Sequence, residues 1–196
     1  MTDCGCQQTA TTKAERKTLT IALILNALMF VVGLIAGIIA QSTALIADSF
    51  DMLADSFAYS LGLIAVGRTA KLKKTIAVTS GGLLCFLGLG VLFEVGRRAW
   101  YGSSPESSLM IGVACISLII NTIVLKLLKK FRNGEVHLRA TWIFTRADVV
   151  ANIGVIFSGI LVLLTKSRYP DLIVGFVIGL YVIKEALEIF KESLKP

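Results

Sequence analysis

Six long apolar runs constrain this chain more than any other feature. They fall at about 19–40, 43–67, 76–96, 109–128, 136–165 and 170–190. A helix crossing the hydrocarbon core of a bilayer needs about 20 predominantly apolar residues. Each run meets that length, and little of the 196-residue chain is left outside them. Composition agrees: 17% of residues are charged and mean hydropathy is +0.78, whereas soluble domains carry about 25% charged residues. These values argue against a disordered chain, a collagen-like chain and an ordinary soluble enzyme. The expected fold is an all-α membrane protein with six transmembrane helices in one domain, residues 18–192. Residues 1–17 are expected to form a cytoplasmic N-terminal tail and residues 193–196 a short C-terminal one. The first run is too long for a signal peptide, lacks a convincing cleavage site and is followed by further spans.

The net charge of +7 invites a nucleic-acid partner, but the basic residues alternate with apolar runs instead of forming a patch. All but four of the 20 Lys and Arg fall on one side of a six-span topology: the N-terminal tail, the second and fourth connections, and the last helix with its tail. The other side keeps Arg97, Arg98, Lys166 and Arg168. By the positive-inside rule both termini lie in the cytoplasm, with the protein expected in the cell inner membrane. The basic excess therefore reports topology and contact with the lipid bilayer, with no nucleic acid as partner.

The connections are short. Gln41 and Ser42 turn the first helix into the second, and residues 102–105 lie in the turn between the third and fourth. Cys85 and Cys115 sit inside apolar runs, where a free thiol behaves as a small hydrophobe. Cys4 and Cys6 form a Cys-Gly-Cys near the N-terminus. Two thiols at that spacing fit capture of a soft metal ion, although two ligands make no closed site; a tail without essential role is the other reading. The pairs Gly33/Gly37, Gly154/Ser158 and Gly175/Gly179 have the spacing that lets membrane helices approach closely. Internal packing is the expected use. Asn26 is expected to hydrogen-bond between helices, and Glu94 to pair locally with Arg97 and Arg98.

The informative residues are acids inside the apolar runs. A carboxylate at the centre of a spanning helix costs about 2.5 kcal/mol or more, so it faces an interior and usually carries function. The second run holds Asp48, Asp51 and Asp55, whose offsets of three, four and seven place them on one helix face. The fifth run holds Asp148, with Asn152 one turn on. Carboxylates converging in a low-dielectric space cannot all stay ionised without a partner. They hold protons or share a cation, and each displaces the other. Placement alone thus points to proton/metal exchange; hydrogen bonding across helices is the plainer alternative.

At these residues the chain resembles the cation diffusion facilitator family. The match is clearest in Gln41-Ser-Thr-Ala-Leu-Ile-Ala-Asp48-Ser-Phe-Asp51-Met-Leu-Ala-Asp55, where Asp51 and Asp55 fill the family's paired acidic positions. Asp148 and Asn152 fit its fifth helix. The resemblance implies a proton-coupled exporter of divalent transition-metal cations working by alternating access, with no enzymatic activity. It also implies a bundle of helices 1, 2, 4 and 5 with helices 3 and 6 alongside, and a homodimer. Metal would be held between helices 2 and 5 by Asp51, Asp55, Asp148 and Asn152, with Asp48 an additional metal or proton site. No permanent cofactor is expected; the cargo is Zn, Mn, Fe or Co.

Two departures from the family stand out. Phe144 occupies the slot where the family usually has His or Asp, so the ligands are all oxygen, which favours harder ions than an imidazole-containing set. The chain also reads as a short form without the C-terminal cytoplasmic domain, leaving Cys4 and Cys6 as the candidates for cytoplasmic metal capture. Two other functions compete: a non-transporting membrane protein with the same fold, acting in metal binding or regulation, and an intramembrane aspartyl protease. The latter lacks its Gly-x-Gly-Asp segment.

Overall fold

In a computed structural model, the backbone is described for residues 4–65, 70–131 and 136–194, and side chains for 13–63, 75, 78–130 and 145–191. Each apolar run becomes one helix: α1 (Cys4–Ile39), α2 (Thr43–Ala65), α3 (Ala70–Tyr101), α4 (Ser107–Leu128), α5 (Val136–Thr165) and α6 (Tyr169–Leu194). A single 3-10 turn, Lys129–Phe131, follows α4. The described residues are otherwise turns, so the chain is all-α. At 1.5 Å per residue, even the 22-residue α4 is about 33 Å long, enough to cross a bilayer core.

The helix ends have local causes. Gln41 adopts φ 50°, and the Ser42 N–H returns to the Gly37 carbonyl at 2.9 Å. Ser42 then caps α2, its Oγ accepting the Leu45 N–H at 3.1 Å, the preferred N-cap arrangement. α3 continues past its apolar run because Glu94 binds Arg97 and Arg98 along the same helix, at 2.7 and 2.6 Å. It ends at Gly102, whose φ of 95° is the left-handed conformation common just after a helix. α1 runs unbroken from Cys4, so residues 4–17 of the expected N-terminal tail are helical.

In the packing, α1, α2, α5 and α4 touch in that cyclic order. α3 pairs with α6, and α6 also touches α2 and α5. The small residues let this happen. A Cβ on Gly37 would meet Ile46 of α2 at 2.8 Å, one on Gly175 would meet Thr43 at 2.7 Å, and one on Gly179 would meet Val91 of α3 at 3.1 Å. These glycines are therefore used within the chain. At the end carrying the three short turns, the loops bind one another. The Glu106 N–H reaches the Ala40 carbonyl at 2.9 Å, and Arg168 donates to the Ala99 carbonyl at 3.1 Å.

Polarity is arranged inside out. Asn26, Asp48, Asp51, Asp55, Asn121 and Asp148 are buried, while Phe86 and Phe93 are 73% and 74% exposed. An apolar outside around a polar inside suits a molecule surrounded by lipid. Among the described residues, four stretches are long and apolar enough to cross a membrane: Lys13–Ile39, Val78–Tyr101, Ser107–Leu128 and Thr145–Thr165. α2 and α6 are excepted for a chemical reason. Any spanning-length stretch of α2 contains Asp48, Asp51 and Asp55, and α6 carries Asp171, Lys184, Glu185 and Glu188. The helices least like plain lipid anchors are those that bring acids inside.

Candidate metal centre

The offsets along α2 do place Asp48, Asp51 and Asp55 on its inward face, and α5, which packs against α2, carries Asp148. All four are buried, at 2–4% exposure. They divide into two groups with different surroundings.

Asp48 belongs to a hydrogen-bonded relay. Asn121 of α4 donates from Nδ2 to Asn152 Oδ1 at 3.0 Å, and Asn152 Nδ2 donates to Asp48 Oδ1 at 2.6 Å. Asn152, expected as a metal ligand, thus has its amide oxygen and nitrogen engaged with protein in this structure. The relay ties α4, α5 and α2 together and fixes the Asp48 carboxyl.

One turn further along α2 the chemistry changes. The charges of Asp51, Asp55 and Asp148 act on one another across the α2–α5 contact, and that of Glu185 on α6 adds to them. Both oxygens of Asp51 and both oxygens of Asp148 are buried with no donor aimed at them. Asp55 differs: Tyr59 donates its hydroxyl to Oδ2 at 2.7 Å, and that hydroxyl also meets Thr145 Oγ1 at 3.0 Å. Among the described residues no three His, Cys, Asp or Glu form a ready metal cage. Buried carboxyl oxygens left without a donor are costly unless a proton or a cation joins them. The donor set, carboxyl oxygens near a phenol, suits hard and borderline divalent ions.

Another buried acid, Asp171, lies near the start of α6. Ser42 Oγ donates to Asp171 Oδ1 at 2.5 Å and Thr43 Oγ1 to Oδ2 at 2.8 Å. The backbone N–H groups of Thr43 and Ala44 reach the same carboxyl at 2.8 and 3.1 Å. Asp171 thus completes the N-terminal cap of α2 from another helix, satisfying donors that a helix start otherwise leaves open.

The sequence-derived candidates fare unevenly. Asp51, Asp55 and Asp148 are buried on the contacting helices α2 and α5 without forming a three-residue metal cluster, and Asp48 and Asn152 hydrogen-bond to each other. The side chains of Cys4, Cys6 and Phe144 lie outside the described residues. Asn26 corrects an expectation: its Nδ2 donates to the Ala22 carbonyl of its own helix at 3.0 Å, not to another helix. Glu94 pairs with Arg97 and Arg98 as expected. Sequence reasoning missed Glu185, although the signal was there: an acid inside an apolar run, like the four it singled out. It missed Asp171, Tyr59 and Asn121 because their roles depend on partners on other helices or on an acid one turn away.

Comparison with known proteins places the chain. The family model for the cation efflux transmembrane domain matches residues 19–195. A metal cation efflux system protein, CzcD, of Cupriavidus metallidurans is 28% identical over 92% of this chain and 61% of its own length. A cadmium, cobalt and zinc/H(+)-K(+) antiporter of Bacillus subtilis is 22% identical over 92% of this chain and 63% of its own. The chain therefore spans about three fifths of the length of these relatives. The matched family consists of multi-pass membrane transporters, not enzymes, and the residues that first suggested it lie inside the matched region: the chain belongs to the cation efflux transmembrane-domain family.

Proposed function

We propose that the protein exports divalent transition-metal cations in exchange for protons, holding the cation with carboxylates between α2 and α5. The observation that carries this reading is the burial of Asp51 and Asp148, on the contacting helices α2 and α5, with no donor to any of their carboxyl oxygens. Lipid-facing apolar surface surrounds them, so the acids have no structural partner to justify their desolvation. Protons and the cation are alternative occupants of the same oxygens. Binding a cation expels protons, and lowering the pH weakens cation binding.

Asp51, Asp55 and Asp148 are the proposed ligands. Asp48 stands beside them as an additional metal or proton site, with Asn152 orienting it and, through the second lone pair of the amide oxygen that Asn121 engages, a further oxygen ligand. The names of the relatives support metal efflux, and that of the B. subtilis protein supports coupling to protons. An all-oxygen site admits Mn, Fe and Co as well as Zn; cobalt and zinc also appear in the B. subtilis name. In this reading all six helices cross the inner membrane with both termini in the cytoplasm. α1, α2, α4 and α5 form the transport bundle, α3 and α6 flank it, and the working unit is a homodimer.

The test is flux into vesicles holding the purified protein, with Zn, Mn, Co and Cd supplied in turn, with and without a pH gradient. Uptake of one or more ions, accelerated by an acidic lumen, is expected. Metal binding without flux of any ion would favour the regulatory alternative and refute transport.

A further inference from the structure

Glu185 has no place in the resemblance that led to α2 and α5, yet the fold brings it to the level of their acids, its neighbour Ala186 packing with Ala54. It is 7% exposed, in the second half of α6. α6 packs along α2 and α5, the helices that carry Asp51, Asp55 and Asp148, and the charges of Asp51 and Asp55 act on the Glu185 carboxyl. Its Oε1 is buried without a donor.

Three observations separate it from an ordinary helix acid. First, the neighbouring basic residue does not neutralise it: Lys184 is exposed and reaches Glu188 at 3.6 Å. Second, its chain neighbour Ala186 packs in one core cluster with Ala54 of α2, the residue before Asp55. Third, its height is set by the fold. The Asp171 cap and the Gly175–Thr43 contact lock the starts of α6 and α2 together. From that lock, Asp51 and Asp55 lie roughly 12 and 18 Å down α2, and Glu185 roughly 21 Å down α6. Side chains tilt toward the helix N-terminus, so the longer glutamate reaches back to the level of the aspartates.

We propose that Glu185 is a ligand to the transported cation, so that the centre is a four-carboxylate site built by three helices instead of two. This rests on the proposed function above. The additional carboxylate strengthens the preference for oxygen-loving divalent ions and links α6 directly to the cargo.

Binding of Co2+ to the purified full chain, read by equilibrium titration and by the visible absorption of bound Co2+, tests the assignment. Glu185→Gln is expected to weaken binding at least about tenfold, the lower end of what losing even an outer-shell partner costs. It should also alter the saturated Co2+ spectrum. Glu188→Gln, at a half-buried acid on the same helix that pairs with Lys184, should leave both unchanged. Asp51→Asn should abolish binding. If Asp51→Asn abolishes binding while Glu185→Gln matches wild type in affinity and spectrum, the Glu185 assignment is overturned and the α2–α5 site stands. Wild-type binding by Asp51→Asn overturns both. If Glu185→Gln does not fold, Glu185→Asp keeps the carboxylate but shortens its reach. An altered Co2+ spectrum in that variant supports ligation, and an unaltered one overturns it.

Discussion

Asp171 and Asp51 are both aspartates buried in the same molecule, 0% and 2% exposed, and their surroundings are opposites. Asp171 takes two hydroxyl donors and two backbone N–H groups, all from the start of α2. Asp51 has no donor on either oxygen, nor has Asp148. The first carboxyl is consumed by the fold; the others are held open for something the fold does not supply. Burial alone therefore does not separate a working acid from a structural one. What separates them is whether the protein has already satisfied the oxygens.

The contrast predicts different failures. The largest effect is expected on transport: Asp51→Asn or Asp148→Asn should cut metal flux by about 100-fold or more, with unfolding temperature near wild type. Normal flux in both would erase the distinction. Next comes Asp171→Ala, which should cost about 3 kcal/mol of stability, because buried donors lose their acceptor and a helix loses its cap. Its folded fraction should still bind metal. A thermal or denaturant midpoint checks the first statement and Co2+ titration the second. Gly175→Ala should cost about 1–3 kcal/mol through the clash with Thr43, without changing which ions bind. The smallest effect is expected from Tyr59→Phe. Asp55 loses one hydrogen bond worth about 1 kcal/mol, so metal affinity should fall about fivefold. A full loss there would place Tyr59 among the essential groups.

Much of this was legible before any coordinates. The apolar runs mark every helix to within a few residues, except at the start of α1 and at two ends where charged residues extend a helix beyond its apolar stretch. α3 reaches Tyr101 because Glu94 and the two arginines satisfy one another on the helix surface. The offsets of Asp48, Asp51 and Asp55 show a shared face because helical geometry is local. Partnership is not local. The donors to Asp171 come from residues 127 to 129 positions away, and nothing in the segment around Pro170 announces them. Asn152 has the spacing of a ligand, yet here it is engaged by Asn121 and Asp48; spacing selects a face, not a bond. Glu185 was open to the argument applied to the other acids, but its run also carries Lys184 and Lys191, which read first as markers of the cytoplasmic side.

The central claim is that the unsatisfied carboxyls exchange protons for a metal ion. Proton release on metal binding tests it most directly, measured by adding Co2+ or Zn2+ to the purified protein in weakly buffered solution near neutral pH. Release of at least one proton per bound ion, absent in Asp51→Asn, is the predicted result. Metal bound with no proton released, or equal release from Asp51→Asn, would contradict the account.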